Sequence, residues 1–203
     1  MYFIIRQSQT EDGMFNFYAL ISRMKLIERW SLMRQTRKES LMEHAAEVAI
    51  LAQALGLIKN IYFGGSVNID RAAAIALYHD TSEVISGDLP TPIKYFNERI
   101  NAAYKEIEGV IAEKLLNMLP KDMSDSIKPY VIPSEEEYEY KLVKAADKLA
   151  AYIKCLEEKA SGNGEFDIAA EKTLSALRAL GYDEVNFFLD NFIEGFGKTL
   201  DML

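Results

Sequence analysis

SLMEHAAEVAILAQALGL, from Ser40 to Leu57, decides the fold class. Alanine and leucine dominate it, and its apolar residues recur at helical spacing. Ser40 followed by Glu43 forms a capping box, which predicts a helix starting at about Ser40. The same periodicity recurs on both sides. Phe15 to Trp30 reads as a first helix and Ile69 to Ile85 (IDRAAAIALYHDTSEVI) as a largely buried one. The loop GDLPTP, with Gly87, Pro90 and Pro92, ends that helix. Asn97 to Leu119 is a longer amphipathic helix, stopped by Pro120. Pro133 and Ser134 open another at Glu135 to Lys159, and SGNG closes it. Phe166 to Leu180 and Tyr182 to Lys198 pair around Gly181, placed as a helix C′ residue. The acidic run Ser134 to Tyr140 reads as a solvated first turn. Alternation with a period of two is confined to short pieces near Tyr2 to Ile5 and Tyr62 to Phe63. The expectation is an all-α helical bundle. Residues 14–203 form a single domain, and residues 1–13 are an N-terminal extension, with Met14 an alternative start.

Composition narrows the function. The chain has 203 residues, 49% hydrophobic and 27% charged, enough for a sizeable core. One cysteine excludes an internal disulfide and a thiolate-rich zinc site. With 23 basic against 31 acidic residues, the net charge of -8 argues against a duplex nucleic-acid partner. No run of about 18 apolar residues stands out as a membrane span. MYFIIRQSQTEDG lacks the basic start and cleavage site of a signal peptide. A cytoplasmic protein without a membrane partner is expected.

The two histidines carry the chemistry. His44 lies near the start of one alanine-rich helix, and His79 and Asp80 lie near the end of another. Asp147 sits in LVKAADKLAAYIKC, on a face otherwise apolar, where an unpaired carboxylate is costly. Glu83 follows His79 by one helical turn. Two histidines and two aspartates on three apolar helices make sense together if a divalent cation satisfies them.

The pattern H…HD…D, in EHAAEVA, ALYHDTSE and KAADKLAAY, resembles the HD-domain metal-dependent phosphohydrolases. SRMKLIERWSLMR, FGGSVN, YHDTSEVISGDLPTPIKYFN and YIKCLEE are similar to the bacterial 5′-deoxynucleotidase branch. The likeness runs from Phe15 to the C-terminus and is strongest from Ser22 to Asn97.

The resemblance implies hydrolysis of deoxyribonucleoside 5′-monophosphates to deoxynucleoside and phosphate, in a homodimer. His44, His79, Asp80 and Asp147 are then the metal ligands. Their mixed nitrogen and oxygen set suits a transition ion such as Co²⁺, Mn²⁺, Zn²⁺ or Fe²⁺ better than Mg²⁺ or Ca²⁺. Such an ion polarises the phosphoryl group and lowers the pKa of a bound water toward ~7. Glu83 is the expected catalytic base, or alternatively a support for the His79 ring. Arg29 orients the phosphate, and Trp30 packs by the sugar and rejects a 2′-hydroxyl. His44, Asp80 and Asp147 also line the substrate, as does the loop Asp88, Leu89, Pro90 and Thr91, with Asp88 accepting from the 3′-hydroxyl. Lys94 is a weaker candidate for positive charge, and Arg23, Lys25 and Arg34 read as surface charges. Cys155, about two turns beyond Asp147, is too distant to be a ligand. Ser31 stands where the branch usually has proline. Two alternatives remain at this stage: an HD hydrolase of nucleoside triphosphates or nucleotide second messengers, and a non-catalytic helical binding module.

Overall fold

The computed structural model describes residues 15–94 and 96–203. Among these the chain forms ten α-helices, short 3-10 turns and no strand, as the all-α expectation requires. The expected extension over residues 1–13, and Met14, lie outside the described residues. The helices are α1 (Phe17–Ile21), α2 (Leu41–Tyr62), α3 (Ile69–Tyr78), α4 (Glu83–Ser86) and α5 (Thr91–Lys94). They continue with α6 (Glu98–Leu116), α7 (Lys121–Val131), α8 (Tyr138–Ala160), α9 (Asp167–Ala179) and α10 (Asp183–Asn191).

The central helix is α2. Its capping box is complete: Glu43 N donates to Ser40 Oγ at 3.2 Å and Ser40 N to Glu43 Oε2 at 2.8 Å. It runs past Leu57 to Tyr62, and Gly64 then takes a positive φ of 64° to turn the chain. Against α2 pack α3, α8 and α10. Val48, Leu55, Ile75, Leu142, Leu149 and Val185 join them in the main core. Each such side chain taken out of water stabilises the bundle by about 1.5–3 kcal/mol. Gly56 permits the α2–α3 crossing, because a Cβ there would stand 2.9 Å from Ile69 Cγ2.

Contrary to the expectation that no stretch is apolar enough, α2 has the length and mean hydropathy (1.4) of a membrane span. Here it is a core helix, with 56% of that window buried inside the bundle.

Three further expectations need correction. The helix expected over Ile69 to Ile85 ends at Tyr78. There His79 Nδ1 donates to the Ala76 carbonyl (2.7 Å) and Thr81 Oγ1 to the Tyr78 carbonyl (2.9 Å). Side chains that capture these carbonyls compete with the helical ladder. The first helix is also shorter: α1 passes into a 3-10 turn at Ser22–Leu26, and the backbone is extended from Ile27. Glu28 bridges Ser40, so Arg29 and Trp30 lie on a loop rather than at a helix end. Finally, Pro120 starts a helix as well as stopping one. It caps α7, which sequence reading missed because KDMSDSIKPYV is polar, contains Pro129 and buries only Val131.

The acidic run is less solvated than expected. Glu137 pairs with Arg71, and Glu139 accepts from Asn68 N at 2.9 Å, tying α8 to the start of α3.

Candidate active site

Three helices deliver the four expected ligands to one place. His44, on the second turn of α2, is fully buried. His79 and Asp80 follow directly after α3, and Asp147 lies in the middle of α8. His44 Nε2 is 3.1 Å from Asp147 Oδ1 and 3.8 Å from Asp80 Oδ2. His79 Nε2 is 3.0 Å from Asp80 Oδ2. One donor atom each from His44, His79 and Asp147 lie within 4.8 Å of one another.

The contact of His79 Nδ1 with the Ala76 carbonyl assigns the proton to Nδ1. Nε2 is then a lone pair, buried without a hydrogen-bond partner and aimed at a carboxylate oxygen. Two acceptors at 3.0 Å repel unless a cation or proton lies between them. The donor set therefore fits a divalent ion.

Charge supports the same conclusion. Burial and Arg29 oppose protonation of His44, but Asp147 and Glu39 outweigh them and push its pKa up to about 9. Burial pulls the other way, yet the protonated ring of His44 holds Asp147 below the usual carboxylate range. The ionised carboxylates of the cluster attract positive charge.

Glu83, on the first turn of α4, is 3% exposed, and its Oε2 has no hydrogen-bond partner. Burial first, then Asp80 and Asp88, push its pKa up to about 9, against Lys94 and Arg29. The His79 ring is held at Nδ1 by the Ala76 carbonyl.

Arg29 Nη1 lies 3.6 Å from Asp80 Oδ2, which places its guanidinium at the cluster. Trp30 has φ 59°, uncommon for an aromatic residue. Its Nε1 donates to Glu39 Oε2 at 2.9 Å, and its ring meets Phe166 edge-on at 5.3 Å. Asp88 is partly buried, and burial raises its pKa despite the opposing pull of Arg29. Leu89 and Pro90 follow it, partly buried. Pro90 O accepts from Ile93 N at 2.8 Å, closing the turn into α5, whose first residue Thr91 is exposed.

The family's sequence model, described as 5′-deoxynucleotidase YfbR-like, matches residues 16–196. The chain belongs to the YfbR-like family. It is 48% identical over 189 residues to the 5′-deoxynucleotidase yfbR of Photorhabdus temperata, covering 93% of the chain and 96% of the relative. A 5′-deoxynucleotidase of Vibrio vulnificus is 46% identical over 187 residues, with coverage of 92% and 96%. The fold is that of HD-domain phosphohydrolases. One from Listeria innocua superposes with a TM-score of 0.78 at 22% identity, over 89% of this chain and 88% of that one. The HD phosphohydrolase of cyanophage S-2L, bound to dA and one catalytic Zn²⁺, gives 0.61 at 20% identity over 87% and 96%.

Within this YfbR-like chain, sequence reading missed Glu39. A lone acid just ahead of a helix cap has no distinctive spacing, yet its side chain is only 11% exposed. It touches Trp30, lies 3.6 Å from Arg29 Nε and 3.5 Å from His44 Nδ1. Burial opposes its ionisation, but His44, Arg29 and Trp30 hold its pKa below the usual value.

A second anchor was also missed. Lys154 Nζ and Glu158 Oε1 form a buried pair at 2.6 Å on α8. Lys154 donates to the Arg37 carbonyl at 2.6 Å, and Glu158 Oε2 accepts from Thr36 N and Oγ1, each at 2.8 Å. This pair clamps the loop that follows Trp30. Lys94 lies 3.4 Å from Glu108 and over the Tyr104 ring. Arg23, Lys25 and Arg34 are exposed. Cys155 is buried against Phe166, as a packing residue.

Proposed function

We propose that the chain hydrolyses deoxyribonucleoside 5′-monophosphates at the His44–His79–Asp80–Asp147 centre, within one catalytic domain spanning residues 14–203. The observation that carries this reading is the convergence of buried nitrogen and carboxylate lone pairs from three helices, beside an arginine and an unpartnered glutamate. His44, His79, Asp80 and Asp147 would hold the ion, with Co²⁺, Mn²⁺ or a similar transition metal matching the donors. When bound, such an ion polarises a phosphoryl oxygen and makes water more acidic.

The chain's own groups do the rest. Arg29 offers its guanidinium fork to the phosphate oxygens. Glu83 takes the proton from the attacking water. Its ionised form, which a cation at the cluster would favour, accepts that proton and then returns it to the departing 5′-oxygen. Water oxygen bonds to phosphorus as the bond to the 5′-oxygen breaks, leaving nucleoside and phosphate. The Trp30 ring reads the sugar edge at C2′, and Asp88, with Leu89, Pro90 and Thr91 on the same loop, meets the 3′ side.

The reading includes a cytoplasmic homodimer. Exposed Ile50, Leu57 and Ile61 on α2 give a second copy an apolar surface to cover.

The test assays dAMP, AMP, dATP and a cyclic dinucleotide side by side with added Co²⁺ or Mn²⁺. dAMP is expected to turn over fastest. Faster release of nucleoside from dATP, or faster cleavage of the cyclic dinucleotide, overturns the monophosphatase reading.

A further inference from the structure

Trp30 sits in the left-handed region with φ 59°. That conformation is unfavourable for an aromatic residue and persists only when its surroundings impose it. Backbone contacts supply part of the restraint. Met33 N donates to Trp30 O at 2.9 Å, and Gln35 Nε2 to the Arg29 carbonyl at 2.8 Å. The ring itself has one polar tether, from Nε1 to Glu39 Oε2 at 2.9 Å.

The same carboxylate faces two other members of the site. Oε2 is 3.6 Å from Arg29 Nε, and Oε1 is 3.5 Å from His44 Nδ1. His44 Nδ1 is buried and has no hydrogen-bond partner, so Glu39 is the carboxylate poised to meet it. The backbone fixes Glu39 in place: its carbonyl accepts from Arg29 N at 3.0 Å, and Ser40 bridges Glu28. On its other edge the His44 ring presents Nε2 to Asp147 and Asp80. One carboxylate thus spans the back of an imidazole, the indole N–H and the guanidinium.

We propose that Glu39 is a positioning residue that links the cation-facing ring of His44 to the pose of Trp30 and Arg29, and thereby sets discrimination at the sugar. The inference rests on the proposed roles of those three residues. Carboxylates behind ligating histidines orient the ring and raise its basicity, and their loss typically costs 10–100-fold in metal affinity. Here the carboxylate has a second task. A cation held at Nε2 leaves the remaining His44 proton on Nδ1, where it donates to Oε1, and Oε2 carries the indole with it. A tryptophan ring displaced by a fraction of an ångström no longer closes off the space beside C2′.

Trp30 is the sole tryptophan of the chain, so its emission reports this link directly. Zn²⁺ serves as the probe, since its closed shell does not itself quench emission. In the wild type, Zn²⁺ is expected to shift Trp30 emission. Glu39→Gln keeps an acceptor oxygen but loses the charge. It is expected to bind Zn²⁺ 10–100-fold more weakly by competition titration and, at saturation, to show no shift. The ratio of kcat/KM for dAMP over AMP should fall at least fivefold. Trp30→Phe removes the N–H and keeps a ring, and its effect on that ratio should not add to that of Glu39→Gln.

An unchanged emission response and an unchanged ratio in Glu39→Gln overturn the link, as does additivity in the double variant. Should Glu39→Gln fail to fold, Glu39→Asp decides by the same readouts, since it keeps the charge and loses the reach. A wild type that hydrolyses neither nucleotide sinks the monophosphatase reading alone, and the emission response still decides the link.

Discussion

His44 Nε2 lies 3.1 Å from Asp147 Oδ1, across 103 positions of chain. That contact joins α2 to α8 through one ionisable residue from each. In the cation-free chain the imidazole is protonated up to about pH 9, because Asp147 and Glu39 overcome burial and Arg29. A cation must displace that proton. Affinity for Zn²⁺ or Mn²⁺ should therefore climb between pH 7 and 9, by up to ~10-fold per pH unit for one proton released, and level off above. Competition titrations across that range check this. Asp147→Asn should lose bound metal by elemental analysis while keeping its helical circular dichroism.

Glu83 is the group whose removal should separate binding from chemistry. Glu83→Gln fills the same space and relieves the crowding of Glu83 with Asp80 and Asp88. It should fold and retain metal, yet lose about 10²–10⁴-fold in kcat for dAMP. Full activity in that variant would remove Glu83 from the mechanism.

Arg29→Lys keeps the charge beside Asp80 but not the fork. Losing one hydrogen bond between charged groups costs ~1.5–3 kcal/mol. A fall of about 10- to 100-fold in kcat/KM for dAMP is expected, measured at saturating metal.

Much of this was legible beforehand. His44, His79, Asp80 and Asp147 stand out in the sequence because apolar helices rarely carry such groups unpaired. The clamp around them was not. Arg29 and Trp30 were assigned to a helix end, because nothing local signals the bridge of Glu28 to Ser40. The break at Tyr78 was hidden too, since IALYHDTSEVI keeps helical periodicity while His79 and Thr81 capture its carbonyls. Lys154 and Glu158 reach Arg37 and Thr36 across 117 and 122 positions, and Glu39 gains its contacts only where the chain folds back at the Glu28–Ser40 bridge, so no spacing rule reveals either.

The Lys154–Glu158 pair gives a stability test away from the chemistry. Lys154→Met leaves Glu158 buried beside Thr36 without its cation. A loss of about 3–5 kcal/mol in denaturant unfolding is expected.

Glu47, on α2, gives a test against pH. Burial first, then Glu39 and Glu157, push its pKa up to about 7 from an ordinary 4.5. The folded chain therefore holds this proton more tightly than the unfolded one. Its stabilising effect is complete below about pH 4.5 and is lost as pH rises through 7. Glu47 is only partly buried, so solvent screening keeps the effect to roughly 1 kcal/mol. Glu47→Gln should raise Tm by about 2–4 °C at pH 8 and change it little at pH 5.

Gly56 lies near the far end of α2 from His44, about 18 Å along the axis, and Ile69 opens α3 at the end away from His79. The two helices act as the arms of a calliper whose pivot is the glycine, with the imidazoles at the tips, 5.4 Å apart between ring centroids. A single methyl group at the pivot, as in Gly56→Ala, pries the arms apart and widens the jaw without altering any donor. The relative affinities for Zn²⁺ and the larger Mn²⁺ would register that widening. On this geometry, a hydrogen atom three turns away from the nearest donor would help to set a preference for ion size.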